Sequence, residues 1–181
     1  GVGSHEAILL RDGNIIAVAN GGIVTHPELP RVKLNVESME PTLAFIDIKN
    51  GSLLSSVKPP PEWQKLSIRH LAEDLKGRIW VACQYEGIAS DAVPLIGYVV
   101  PGENIKWLAL DRMVYRRLRR YIGSISSFDG GRCMAFSSPI GGRLVACSAI
   151  TENVINQADC ADVCGGDAVY DCAGQCNGSA E

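Results

Sequence analysis

Glu6-Ala7-Ile8-Leu9-Leu10-Arg11-Asp12-Gly13-Asn14-Ile15-Ile16-Ala17-Val18-Ala19 reads as two apolar runs, Glu6–Leu10 and Ile15–Ala19, reversed at Asp12-Gly13. Asp-Gly between two such runs is a strong hairpin signal, because the tight two-residue turn needs positive φ at its centre. Two more runs follow, Leu43–Ile48 and Leu53–Val57, joined at Asn50-Gly51 in the same way. Four antiparallel strands with tight turns make one blade of a β-propeller. Between the two hairpins lies a long polar loop over 21–41.

The pattern recurs. Ile68–Ala72, Ile79–Gln84, Leu95–Val100 and Ile105–Leu110 are four further runs, with Lys76-Gly77 and Pro101-Gly102 at the two hairpins. A third set follows in Ser124–Phe128, Cys133–Ser137, Arg143–Ser148 and Val154–Gln157, with Asp129-Gly130-Gly131 at its first turn. A fourth set begins near Val163. Repeats of about 50 to 65 residues suit propeller blades with loop insertions. The expected fold is all-β, a partial propeller of three to four blades. Its blades span 1–60, 61–110 and 122–158, with an incomplete one over 159–181. Three and a half blades leave exposed edges, so the chain reads as a piece of a longer protein or as one needing a second copy. The alternative is a β-sandwich, which also has short strands and glycine turns. The recurring position of those turns favours the propeller.

One segment breaks the β pattern. Asp111–Tyr121 reads as a short inserted helix capped by Asp111, with Val114, Leu118 and Ile122 as its apolar stripe. Its arginines read first as a solvated face, and second as an anion- or membrane-binding one.

The 181 residues are 46% apolar and 20% charged, values of a globular domain. A net charge of -3 gives no footprint for nucleic acid. No apolar run is long enough to span a bilayer. Of the seven cysteines, Cys83, Cys133 and Cys147 fall in apolar runs and read as small buried side chains. Cys160, Cys164, Cys172 and Cys176 form two C-x-x-x-C pairs, open to a disulfide or a metal reading. There is no nucleophile elbow, P-loop or dinucleotide fingerprint.

The candidate chemistry gathers around three histidines. His5 precedes Asp12-Gly13 by nearly the count at which His70 precedes Lys76-Gly77, so adjacent blades are expected to present both near a shared axis. His26 lies in the long loop, which is expected to fold over the same mouth. With Glu6 as a fourth donor, His5, His26 and His70 suit iron, copper or zinc. The contrary reading makes each histidine a structural residue tying loop to strand. Asn20, Arg31, Lys33, Arg69, Gln84 and Tyr85 are the further candidates for contact with a bound ligand, since they sit at polar strand ends and in the loop.

Gly1-Val2-Gly3-Ser4-His5-Glu6, Val18-Ala19-Asn20-Gly21-Gly22-Ile23, Thr25-His26-Pro27, Lys33-Leu34-Asn35 and Leu66-Ser67-Ile68-Arg69-His70-Leu71 resemble an uncharacterised bacterial β-propeller family, domain of unknown function 1513. Cys83-Gln84-Tyr85-Glu86-Gly87 and Ser137-Ser138-Pro139-Ile140-Gly141-Gly142 fit it too. The likeness is dense over 1–145 and thinner beyond. It implies a ring of about seven blades, twin-arginine export to the periplasm, and an association with iron-regulated periplasmic proteins. Ser4 stands where the family has Pro, and Pro30 where Gly is usual. The first expectation is therefore a periplasmic propeller that binds a transition metal or small ligand at its channel mouth. The second is a scaffold that docks a periplasmic protein partner without metal. A metal-dependent enzyme is third.

Overall fold

A computed structural model describes residues 1–29, 31–88, 93–110, 118, 121–138 and 142–147. Three antiparallel sheets follow one another along the chain. The first has the order β1 (Ser4–Leu9), β2 (Ile15–Asn20), β3 (Thr42–Asp47) and β4 (Leu53–Val57). The second runs β5 (Leu66–Glu73), β6 (Ile79–Tyr85), β7 (Ile96–Val99) and β8 (Lys106–Trp107). In the third, β10 (Cys133–Ser138) pairs with β9 (Ser124–Phe128) on one side and β11 (Gly142–Cys147) on the other. The expected strands are thus present within a residue or two, except that the last strand of the second sheet shrinks to Lys106–Trp107. The expected helix over 111–121 (Leu118 and Tyr121 apart), the strand Val154–Gln157, and Cys160, Cys164, Cys172 and Cys176 lie outside the described residues. Among the described residues, no helix is long and apolar enough to cross a membrane.

The first hairpin of each full sheet turns on a glycine with positive φ, +70° at Gly13 and +73° at Gly77. An L side chain there would meet the Cβ clash of the left-handed region. Alternation then sorts the side chains. Ala17, Ala19, Leu43, Phe45 and Val57 bury one face of the first sheet. They share a continuous core with Leu66, Ile68, Ile79, Val81 and Ile96 of the second sheet and Met134 and Phe136 of the third. Trp80 packs 6.1 Å from the Phe136 ring and 5.4 Å from Tyr98. Cys83 and Cys133 are buried as expected, and burial pushes both thiols up.

The sheets meet through their first strands. β5 packs against both β1 and β9. At the hairpin end, Arg11 N donates to Glu73 Oε2 (2.7 Å), and Leu75 N donates to the Gly131 carbonyl (2.9 Å). The Arg11 guanidinium also lies against Gly131. The first turns of all three sheets therefore converge, and the opposite ends of β1 and β5 open onto the loop over 21–41.

That loop is closed on itself and tied to both neighbouring sheets. Gly21 N and Gly22 N donate to the carbonyls of Gly3 and Val2. Asn35 braces its two arms, accepting from Val24 N (2.7 Å) and donating to the Gly22 carbonyl (2.9 Å). Lys65 then grips Glu37 across the gap to the second sheet (2.6 Å).

Candidate ligand-binding site

Two bulges shape the site. In β1 the pairing steps from Ser4–Asn20 to Glu6–Ala19, which leaves His5 as an extra residue. In β5 it steps from Ile68–Cys83 to His70–Ala82, which leaves Arg69 extra. His5 and Arg69 stand the same number of residues ahead of their turn glycines, Gly13 and Gly77. A bulge re-aims a side chain that strict alternation would send elsewhere. Both residues line one cavity of about 800 Å³, where the loop meets the starts of β1 and β5.

The rest of the lining mixes polar and basic side chains with Ile23 and the backbone of Gly3 and Gly21. Arg31 and Lys33 come from the loop, Ser67 from β5, Gln84 from the end of β6, and Tyr121 from beyond the second sheet. Gln84 and Tyr121 are held together by a β-bridge. Glu86 accepts from Lys33 and, at 3.2 Å, from Arg69 Nη2, with its own side chain only 6% exposed. Arg69 also lies 5.8 Å from the centre of the Tyr121 ring, and its Nε is buried without a partner.

The histidines divide. The rings of His5 and His70 meet edge to face, with centroids 4.7 Å apart. Their roles differ, however. By register it is Glu6 that corresponds to His70, and these two face each other, His70 Nδ1 lying 3.8 Å from Glu6 Oε1. The other oxygen, Glu6 Oε2, accepts from Leu71 N and so caps the free edge of β5. Burial lowers the pKa of His5, and the nearby His70 and Arg69 lower it further. Glu6 and a hydrogen bond to the Arg69 backbone oppose them. His26 works within its own loop, where Nδ1 accepts from Glu28 N (3.1 Å) and Leu29 N (3.2 Å). Among the described residues, no three His, Cys, Asp or Glu side chains come together in a way that would hold a metal. Among the described residues, His5 and His70 bring two imidazoles together, and the Glu6 carboxylate beside them is engaged with the Leu71 amide.

Of the other expected contacts, Arg31, Lys33, Arg69 and Gln84 line the cavity, whereas Asn20 and Tyr85 do not. Asn20 is buried, accepting from Ser4 Oγ (2.7 Å) and donating to Thr42 Oγ1 (3.0 Å), so it knits the first sheet together. Tyr85 packs on the core. Thr25 and Ser67 lie in the motifs that carry the family resemblance and Tyr121 ends the expected helix, but none of the three is among the expected ligand contacts.

The family model described as Protein of unknown function (DUF1513) matches residues 1–180. The chain belongs to this family. A solved structure to which this DUF1513 chain is similar is that of a protein of unknown function from Bacteroides caccae. The two align with a TM-score of 0.48 and 14% identity, over 84% of this chain and 44% of that one. The chain therefore spans less than half the length of that protein. No curated protein matches it.

Proposed function

We propose that this DUF1513 chain is part of a β-propeller and acts by binding a small ligand in the cavity at the mouth of its innermost strands. The radial reading is supported by the way β1, β5 and β9 pack in series, and by the meeting of Arg11, Leu75 and Gly131 at the hairpin end. As the resemblance implies, about seven sheets would complete the ring, and the protein would work in the periplasm after twin-arginine export.

The observation that carries the binding reading is the pair of equivalent bulges. Both first strands interrupt their regular pairing at equivalent places, and both interruptions put a polar side chain in the lining of the same cavity. Bulges concentrate beside functional sites for this reason. The size and the convergent polar groups are those of a ligand pocket. Thr25→Trp tests the reading, because Thr25 is an exposed lining residue and an indole there fills the cavity without touching the core. Ligand-detected NMR against a set of small polar metabolites should give binders that lose their signal in the variant. A set of binders unaffected by Thr25→Trp, or no binder at all, refutes the cavity as the site.

A second reading places iron, copper or zinc at His5 and His70. The close imidazole pair favours it. It requires Glu6 to leave Leu71 N or a donor to arrive from elsewhere. Elemental analysis of protein purified without chelator decides it: near-stoichiometric metal, lost in a His5→Ala, His70→Ala double variant, supports the metal, and its absence from both removes it.

A further inference from the structure

The cavity has a sign as well as a size. Among the described residues, three cations line it, Arg31, Lys33 and Arg69, and no carboxylate does. Among the described residues, the one acid bonded to them, Glu86, is almost fully buried behind Lys33 and Arg69 and offsets a single charge. That leaves an excess of positive charge facing the space. Glu86 also fixes the two side chains it holds, so their positions do not depend on a ligand being present. Arg69 is only 18% exposed, yet one nitrogen alone is paired to a carboxylate and Nε has no partner. A mostly buried guanidinium with spare donors is costly unless an acceptor arrives. Its planar fork matches the oxygens of a carboxylate or a phosphate.

We propose that the ligand is a small organic anion, carrying a carboxylate or phosphate group that is seated on Arg69 between Lys33 and Arg31. This rests on the ligand-binding reading above and names its substrate class. A volume of about 800 Å³ is more than a bare inorganic ion needs. The hydroxyls of Ser67 and Tyr121 and the amide of Gln84 can orient a polar body attached to the anionic group.

The test is isothermal titration of the chain with four probes at matched ionic strength: citrate, glucose 6-phosphate, inorganic phosphate and glucose. Binding of citrate or glucose 6-phosphate, with inorganic phosphate weaker and glucose silent, supports the proposal. Which of the first two binds more tightly separates the carboxylate source from the phosphate one. Arg69→Met keeps the stem and removes the fork, and should weaken the anion roughly 10-fold or more. Lys58→Met, outside the cavity lining and paired with Glu40, controls for loss of bulk charge and should leave it unchanged. If glucose binds and is lost in Thr25→Trp while the anions stay silent, the anion is wrong and the cavity stands. If an anion binds equally well to Arg69→Met and to Thr25→Trp, it sits elsewhere and both ideas fall. If none of the four probes binds, the anion proposal is overturned, and the metabolite set then judges the cavity alone.

Discussion

The guanidinium of Arg69 is anchored by the carboxylate of Glu86, with Nη2 to Oε1 at 3.2 Å, and Glu86 has only 6% of its side chain exposed. The same carboxylate holds Lys33 from the loop. Its removal leaves two cations crowded without a counter-charge. Breaking a fully buried pair costs about 3–5 kcal/mol. Here Arg69 and Lys33 are 18% and 32% exposed, so solvent screens part of that cost. Glu86→Gln should lower the unfolding free energy by about 1–2 kcal/mol in urea titration. In an Arg69→Met background the same change should cost measurably less. Equal costs in the two backgrounds would mean that the pair contributes no coupling.

Titration of His5 supplies a second expectation. Its pKa in the folded chain lies below the ordinary 6.5, chiefly through burial, then through His70 and Arg69, with Glu6 opposing. The folded state therefore binds fewer protons than the unfolded state once the pH falls below that value. Stability from this residue is fully present above about pH 6.5 and declines as the pH drops from there through the folded pKa. Between about pH 7.5 and 5 the melting temperature should fall more steeply for the wild type than for His5→Gln. Parallel curves for the two proteins would contradict it.

The strands were legible because their signals are local. Asp12-Gly13, Asn50-Gly51, Lys76-Gly77 and Pro101-Gly102 each mark a reversal between two apolar runs. The site was legible only in part. His5, Arg69, Arg31, Lys33 and Gln84 were marked as polar residues at strand ends or in a long loop. Their partition was not readable, because a bulge shifts facing by one residue and leaves no mark in composition. Counting from the turns paired His5 with His70, whereas the register sets His5 beside Arg69 and Glu6 beside His70. Ser67 and Tyr121 join the lining through contacts between segments distant in sequence, and periodicity carries no information about those.

Asp74 is a structural hub away from the cavity. It is fully buried, and its carboxylate accepts from Lys76 N, Arg78 N, Arg78 Nε (2.6 Å) and Trp80 Nε1 (2.9 Å). Arg78 lies over both the Trp80 and Tyr98 rings, 5.5 and 4.7 Å from their centres. Asp74→Ala strands that buried cation and the indole N–H, and should cost about 3–5 kcal/mol. The double variant Asp74→Ala, Arg78→Met should be more stable than Asp74→Ala alone, because the unpaired charge is gone. Trp fluorescence during chemical unfolding reads both. A double variant less stable than the single one would show that packing of the Arg78 stem, not its charge, dominates.

Two glycines with nearly the same backbone angle separate conformational strain from collision. Gly13 has φ +70° with open space where a Cβ would sit, and Gly22 has φ +76° with the backbone of Glu40 and Pro41 only 2.6 Å from that point. Alanine in the left-handed region costs roughly 1–2 kcal/mol by itself. Gly13→Ala should cost about that much and leave ligand binding intact, since the turn is at the hairpin end. Gly22→Ala must also push the loop away from Glu40-Pro41, and its carbonyl is the acceptor for the Asn35 brace. Its melting temperature should fall at least twice as far. Ligand affinity should fall as well, because the loop carries Arg31 and Lys33 to the cavity. Equal effects of the two substitutions would mean that the loop yields freely and does not hold these cations in place.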